Sequence, residues 1–262
     1  MDIAINDSPI LFKTTLKDDR NEVQISAINR ALNSTDECIS EYCALEQSHN
    51  GRYINADLFK EIFPEYRESI ESRGRYDLSV HNSCAWLAQE LFNRRIKDPN
   101  VRGCIFVTGV PGAGKSFFIQ SLFNDGEVPE DYIVFEGSLC NVEASKAKMQ
   151  QLVDAGKEIE LIVLNSDIKL AYENMKNRQQ EVGRGATFNS MAMIASKLKG
   201  SIEALNDAFP IHGIGVYTKT VSNDNITLST GIQAVREMLN YDFNSLISYL
   251  KELDLGTKGM VH

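Results

Sequence analysis

"GVPGAGKS", Gly109 to Ser116, is the stretch on which the fold turns. It fits G-x-x-x-x-G-K-[ST] without a substitution. On average residue frequencies, a chance match in a chain of this length is roughly one in a hundred. The flanks supply the required setting: "CIFVT" before it reads as a buried strand, and "SFFIQSLF" after it opens an apolar helix. A polyphosphate needs a ring of backbone N–H donors at close approach, so glycine stands at Gly109, Gly112 and Gly114, with Val110, Pro111 and Ala113 between them. The helix N-terminus adds its positive end. Lys115 supplies a charge to the β- and γ-phosphates, and the Ser116 hydroxyl can ligate Mg²⁺. ATP and Mg²⁺ are therefore the expected cofactors.

Outward from this loop the same strand form recurs. "DYIVFEG" and "IELIVLNSD" are short apolar runs separated by the helical "VEASKAKMQQLVDAG". Strands alternating with helices of this length predict an α/β fold, a P-loop kinase-like parallel sheet with helices on both faces. Residues 1–50 read as a helical extension, with "EVQISAINRAL" and "STDECISEYCALEQ" apolar at helical spacing and Ser34 or Thr35 as a cap. The core is expected over 51–220, including a helix "SVHNSCAWLAQELFNRRI" with Trp86, Leu87, Leu91 and Phe92 on one side. The tail, 221–262, reads as helical.

Composition limits the partners. The 262 residues are 43% hydrophobic and 24% charged, ordinary for a globular protein. A formal charge of −9 argues against a nucleic-acid partner, whose phosphates need clustered Lys and Arg. No run of apolar residues is long enough to span a membrane, and "MDIAINDSPILF" has no basic segment leading into an apolar one, so no membrane partner is expected. Five cysteines, an odd number with no C-x-x-C pair, read as reduced thiols in a cytoplasmic setting.

A phosphate loop implies a nucleotide and leaves its use open. The guanine motif N-K-x-D is absent, and "ELIVLNSD" is a poor metal-binding strand end because Asn165 and Ser166 precede Asp167, which reads as the cap of the next helix. A small-molecule kinase fits better. Such an enzyme needs mobile cations and a group to receive the acceptor's proton. In "NRQQEVGRGATF", Arg178 and Arg184 stand at a helix end beside Gly183 and Gly185, which suits a lid closing over phosphate, although arginines there are commonly solvated dipole partners. In "YINADLFKEIFPEY", Asp57 follows a short apolar strand and reads either as a helix cap or as a base.

"LVDAGKEIELIVLNSDIKLAYENMKNRQQEVGRGATF" with "IVFEGS" before it resembles the zeta toxin family of P-loop kinases, enzymes that phosphorylate UDP-N-acetylglucosamine. "NADLFKEIFPEY" is similar to that family's Asp-x-Phe-Arg/Lys-x-x-x-Pro-x-Tyr/Phe segment. The likeness covers most of residues 52–220 in a permuted order, because the aspartate segment precedes the phosphate loop here and follows it in the family. It implies Asp57 as the base, Arg178 and Arg184 as lid arginines, and Glu136, Ser138 and Gln89 at substrate-binding positions. It also implies a fold in which strand "RYIN" lies beside the phosphate-loop strand. Two departures bear on the acceptor: Gln89 stands where the family has glutamate and Cys140 where it has a diphosphate-binding arginine.

The expected function is therefore an ATP-dependent kinase acting on a hydroxyl of a nucleotide-like or sugar-nucleotide substrate. The resemblance implies a growth-inhibiting toxin or effector, cytoplasmic or delivered into a host cell, with a protein antitoxin or inhibitor as partner. A regulatory NTPase module without a small-molecule acceptor, or a detoxifying kinase, are the alternatives.

Overall fold

Apolar runs that end in glycine or a polar residue set the strands. The computed structural model describes residues 8–220 and 223–258, and the chain forms two units. One runs to Pro99 and includes Arg178–Arg184; the other holds Asn100–Asn177 and Gly185 onward. Parts of the expected end segments, 1–7, 221–222 and 259–262, lie outside the described residues.

In the second unit, "GCIFVTG" forms β2 (Gly103–Gly109), numbered after a short β1 described below, and every residue of it is buried. Such a run carries no polar alternation because both faces of the sheet are covered. It pairs in parallel with β3 (Tyr132–Glu136) on one side and β4 (Glu158–Ser166) on the other. Further strands, β5 (Ile211–Thr220) and β6 (Asn223–Thr230), extend the sheet beyond β4, so these five strands lie in the order β3-β2-β4-β5-β6. β5 is parallel to β4, while β6 is antiparallel to β5. The expected parallel sheet is thus mostly parallel. The hairpin was hidden because Gly213, Gly215 and several polar residues leave β5 no continuous apolar run. Both hydrogen-bonding edges of β2 are taken by β3 and β4. The expectation that "RYIN" neighbours the phosphate-loop strand is therefore overturned.

Chain direction places the helices. After β2 the chain leaves through α6 (Lys115–Asn124) to β3, then crosses back over β2 through α7 (Val142–Asp154) to β4. From β4 it continues through α8 (Ile168–Val182) and α9 (Phe188–Ala208) to β5. Right-handed crossovers running in opposite directions put α6 on one face and α7 with α9 on the other. The reversal makes the C-terminal ends of β2 and β4 a topological switch point, where open α/β sheets bind ligands. The tail forms α10 (Gly231–Arg236) and α11 (Phe243–Lys258). α11 packs on α9, and Leu246 and Leu250 bury against Tyr172, Met175, Met191 and Ala195. Burying each such large apolar side chain contributes roughly 1.5–3 kcal/mol.

The first unit is helical: α1 (Asp19–Asn33), α2 (Thr35–Cys43), β1 (Tyr53–Ile54), α3 (Ala56–Phe59), α4 (Pro64–Arg67) and α5 (Ile70–Ile96). Helix α5 opens at Ile70 rather than at Ser79, because Ser69 caps it by accepting the Ser72 N–H and the helix tolerates Gly74 inside. The cap of α3 is Asn55, not Asp57. Asn55 Oδ1 accepts the backbone N–H groups of Asp57 at 2.6 Å and Leu58 at 3.2 Å. Its Nδ2 donates to the Tyr53 hydroxyl at 2.7 Å, and Tyr42, stacked 3.7 Å from Phe59, accepts from Asn55 N and donates to Tyr53 O. Asp57 is left free of capping duty. Among the described residues no helix is long and apolar enough to cross a membrane, and Cys38, Cys43, Cys84, Cys104 and Cys140 are all free thiols.

Asn55→Ala removes both capping bonds from a four-residue helix that cannot stand alone. The expected loss is about 1–2 kcal/mol, read by urea unfolding. Unchanged stability would mean that packing alone holds α3.

Candidate functional site

At the switch point in the second unit, the phosphate loop joins β2 to α6. Its backbone is left-handed at Gly112 (φ 82°) and Gly114 (φ 86°). Gly112 is also boxed in: a Cβ there would lie 1.9 Å from the Ala171 carbonyl oxygen of α8. Asn174, one turn on, donates from Nδ2 to the Gly112 carbonyl at 3.1 Å. The loop is thus fixed by α8 in a shape only glycine permits.

Lys115 folds back over the loop, donating from Nζ to the carbonyls of Gly109 at 3.0 Å and Val110 at 3.1 Å. Ser116 donates its hydroxyl to Glu136 Oε2 at 3.1 Å, and Lys115 Nζ lies 4.0 Å from Glu136 Oε1. The first turn of α6 carries no acidic residue of its own, which favours an anion at its N-terminal amides, although the Glu136 carboxylate stands beside Ser116. These features fit a bound polyphosphate. The turn beyond β3 is held from below: Thr108 Oγ1 donates to the Ser138 carbonyl at 2.9 Å, and Cys140 Sγ donates to the same oxygen at 3.1 Å. Burial pushes the Cys140 thiol up to about 11, so it stays neutral. Ser138 itself is exposed.

The remaining expected residues lie in the first unit. Asp57, at the second position of α3, presents Oδ1 to Lys60 Nζ at 2.8 Å and Oδ2 to Arg184 at 3.3 Å. Burial pushes its pKa up, but Lys60 and Arg184, with Arg178 behind them, outweigh it and hold the carboxyl well below the usual range. Asp57 is a carboxylate throughout the neutral range. Arg184 also lies 3.8 Å from Glu61, which in turn holds Arg73 at 2.8 Å. Gly183 (φ 72°) carries the chain past the first turn of α5, where a Cβ would sit 2.2 Å from the Ile70 carbonyl. Arg178 is exposed near the end of α8. Gln89, on α5, donates to Asn93 one turn along the same helix at 2.8 Å.

Several neighbours of Asp57 went unread in the sequence. Lys60 is 3% exposed and meets Asp77 of α5 at 2.6 Å. The i,i+3 spacing of Asp57 and Lys60 was a usable signal; the Asp77 contact, across seventeen residues, was not. Tyr66 lies beside them, its phenol pushed up to about 12 by burial and its hydroxyl without a hydrogen-bond partner. Among the described residues no group of three or more His, Cys, Asp or Glu could hold a metal ion.

No family model matches the chain, and no curated protein does. Among solved structures, a chain from the characterization of the PezAT chromosomal toxin-antitoxin system of Streptococcus pneumoniae is similar over 88% of this chain and 96% of its own. The identity is 12% and the TM-score 0.49, a likeness too shallow to carry an argument about what this chain does.

The two loop glycines separate fit from strain. Gly112→Ala meets both a left-handed backbone and the Ala171 carbonyl, and should cost at least about 2 kcal/mol. Gly114→Ala, with nothing within 4 Å of its Cβ position, should cost only the strain of about 1–2 kcal/mol. Equal losses on denaturant unfolding would contradict the packing of the loop against α8.

Proposed function

We propose that this protein is an ATP-dependent small-molecule kinase that phosphorylates a hydroxyl of a nucleotide-like or sugar-nucleotide acceptor. The observation that carries the reading is the substitution-free phosphate loop at the switch point, shaped by Gly112 and roofed by Lys115. ATP would supply the γ-phosphoryl group, and Mg²⁺ bound with it would supply charge neutralisation. Residues Gly109, Val110, Pro111, Gly112, Ala113 and Gly114 would offer backbone N–H donors, and Lys115 would leave its carbonyl partners for the β- and γ-phosphates. Ser116 would turn its hydroxyl oxygen to Mg²⁺.

Asp57 is assigned to orient the acceptor hydroxyl and receive its proton. A carboxylate held so far below the usual range is a weak base. In a loose transition state this suffices, because the proton leaves late and positioning carries most of the catalysis. Arg184, ion-paired to Asp57, and Arg178 are assigned to the transferring group, and Glu136, Ser138 and Gln89 to the acceptor. The neutral thiol of Cys140 supports an acceptor bound differently from UDP-N-acetylglucosamine. A zeta-toxin-like, growth-inhibiting role in the cytoplasm, answered by a protein antitoxin, follows from the sequence resemblance.

Incubation with ATP and a deproteinised metabolite extract should yield one metabolite heavier by a phosphate. ATP turnover without such a product would favour a regulatory NTPase instead. Lys115→Ala should remove transfer while the protein stays folded by circular dichroism; full activity in that variant would sink the phosphate-loop assignment.

For the arginines, Arg184→Ala and Arg178→Ala should each slow transfer far more than they weaken ATP binding, by about 10³ where the arginine meets the charge in the transition state. A wild-type rate in either variant makes that arginine a surface charge.

A further inference from the structure

Lys60 is more deeply buried than either of its partners. Its side chain is 3% exposed, whereas those of Asp57 and Asp77 are 46% and 35% exposed. In an ordinary surface pair the long flexible cation lies outermost and adapts to the acid. Here the order is reversed. The ammonium, fixed by burial, is met by both carboxylates, Asp57 Oδ1 at 2.8 Å and Asp77 Oδ1 at 2.6 Å. Breaking such a set by removing one member leaves a buried charge uncompensated, which keeps all three groups in place.

The two oxygens of Asp57 are consequently unequal. Oδ1 is committed to the buried Lys60, while Oδ2 meets only the longer 3.3 Å contact from Arg184. We infer that Lys60, anchored by Asp77, is a positioning residue that fixes the Asp57 carboxylate so that Oδ2 is the atom offered to the acceptor hydroxyl, with Arg184 as its resting occupant. The inference rests on the reading of Asp57 as the acceptor-orienting group. In the transfer step the acceptor oxygen bonds to the γ-phosphorus as that phosphorus parts from the ADP oxygen. The hydroxyl proton passes to Oδ2, and Arg184 is released to the phosphoryl oxygens.

The other charged and titratable groups facing this set are Lys13 from the N-terminal segment, Glu61, Tyr66 of α4, His81 and Cys84 of α5, and Arg178. Burial pulls Lys60 down, but Asp57 and Asp77 raise it, so it keeps its charge.

Two readouts test this. The first is the Asp57 titration midpoint, followed by NMR with carboxyl-labelled aspartate and assigned by the signal missing from Asp57→Asn. Lys60→Met should raise it by about one unit or more, and Lys60→Arg should restore it. The second is the initial rate of ³²P transfer from γ-labelled ATP into a deproteinised metabolite extract. Lys60→Met and Asp77→Asn should each lower the rate about a hundredfold, as a misplaced group does, with KM for ATP unchanged. Should Lys60→Met fail to fold, the double variant Lys60→Met with Asp77→Asn removes both charges together and should show the same slowed transfer. An unmoved midpoint, or Asp77→Asn at wild-type rate, overturns the positioning role. A fully active Asp57→Asn, with the midpoint shift present, overturns the acceptor reading of Asp57 and the catalytic part of this proposal with it.

Discussion

Everything at the phosphate-loop motif depends on how closely the backbone at Gly112 approaches α8. The Ala171 carbonyl occupies the place where any side chain at position 112 would begin. Because the loop lies flat against that helix, Val110 can bury with Ile168, Ala171 and Met175 in one apolar cluster that continues to α11. Loop shape and core packing are therefore one constraint. A loop held this way is already ordered, which would spare the entropy of arranging its donors for an anion.

Charge is arranged by a different rule in the first unit. Its polar centre is a chain of alternating signs, Asp77, Lys60, Asp57, Arg184, Glu61 and Arg73, each within ion-pair distance of the next. Desolvation makes such a chain a poor source of stability. Its value lies in geometry, since each member limits where the next can point. The short α3 gains a fixed orientation through Asn55 and Lys60 that four residues could not hold by their own hydrogen bonds.

The two units offer different groups. The loop offers amides and one ammonium to a polyphosphate. The alternating chain offers a carboxylate kept ionised and an arginine adjacent to it. A carboxylate held by cations cannot pull a proton strongly. The same economy of charge appears at the turn after β3, where Cys140 remains a neutral thiol bonded to a backbone carbonyl.

Reading the chain alone was enough to place the phosphate loop, because its chemistry is local: eight consecutive residues set the turn, and the flanking apolar runs show the strand and helix. The strands β2, β3 and β4 and the helices α6 and α7 were legible for the same reason, as was Asp167, which accepts from Lys169 N at 2.8 Å as a cap should. Contacts between distant segments were not. Asp57 read as either a cap or a base because acids commonly cap helices, and only the fold shows Asn55 taking the capping place while Asp77 reaches Lys60 from another helix. Strand β5 escaped because its residues are mostly half-exposed and it bears Gly213 and Gly215, so its strand character comes from pairing with β4 rather than from its own periodicity. Local hydrogen bonding and hydrophobic period are written along the sequence; which edge a strand joins, and which acid meets which buried cation, depend on packing that the chain acquires only when folded.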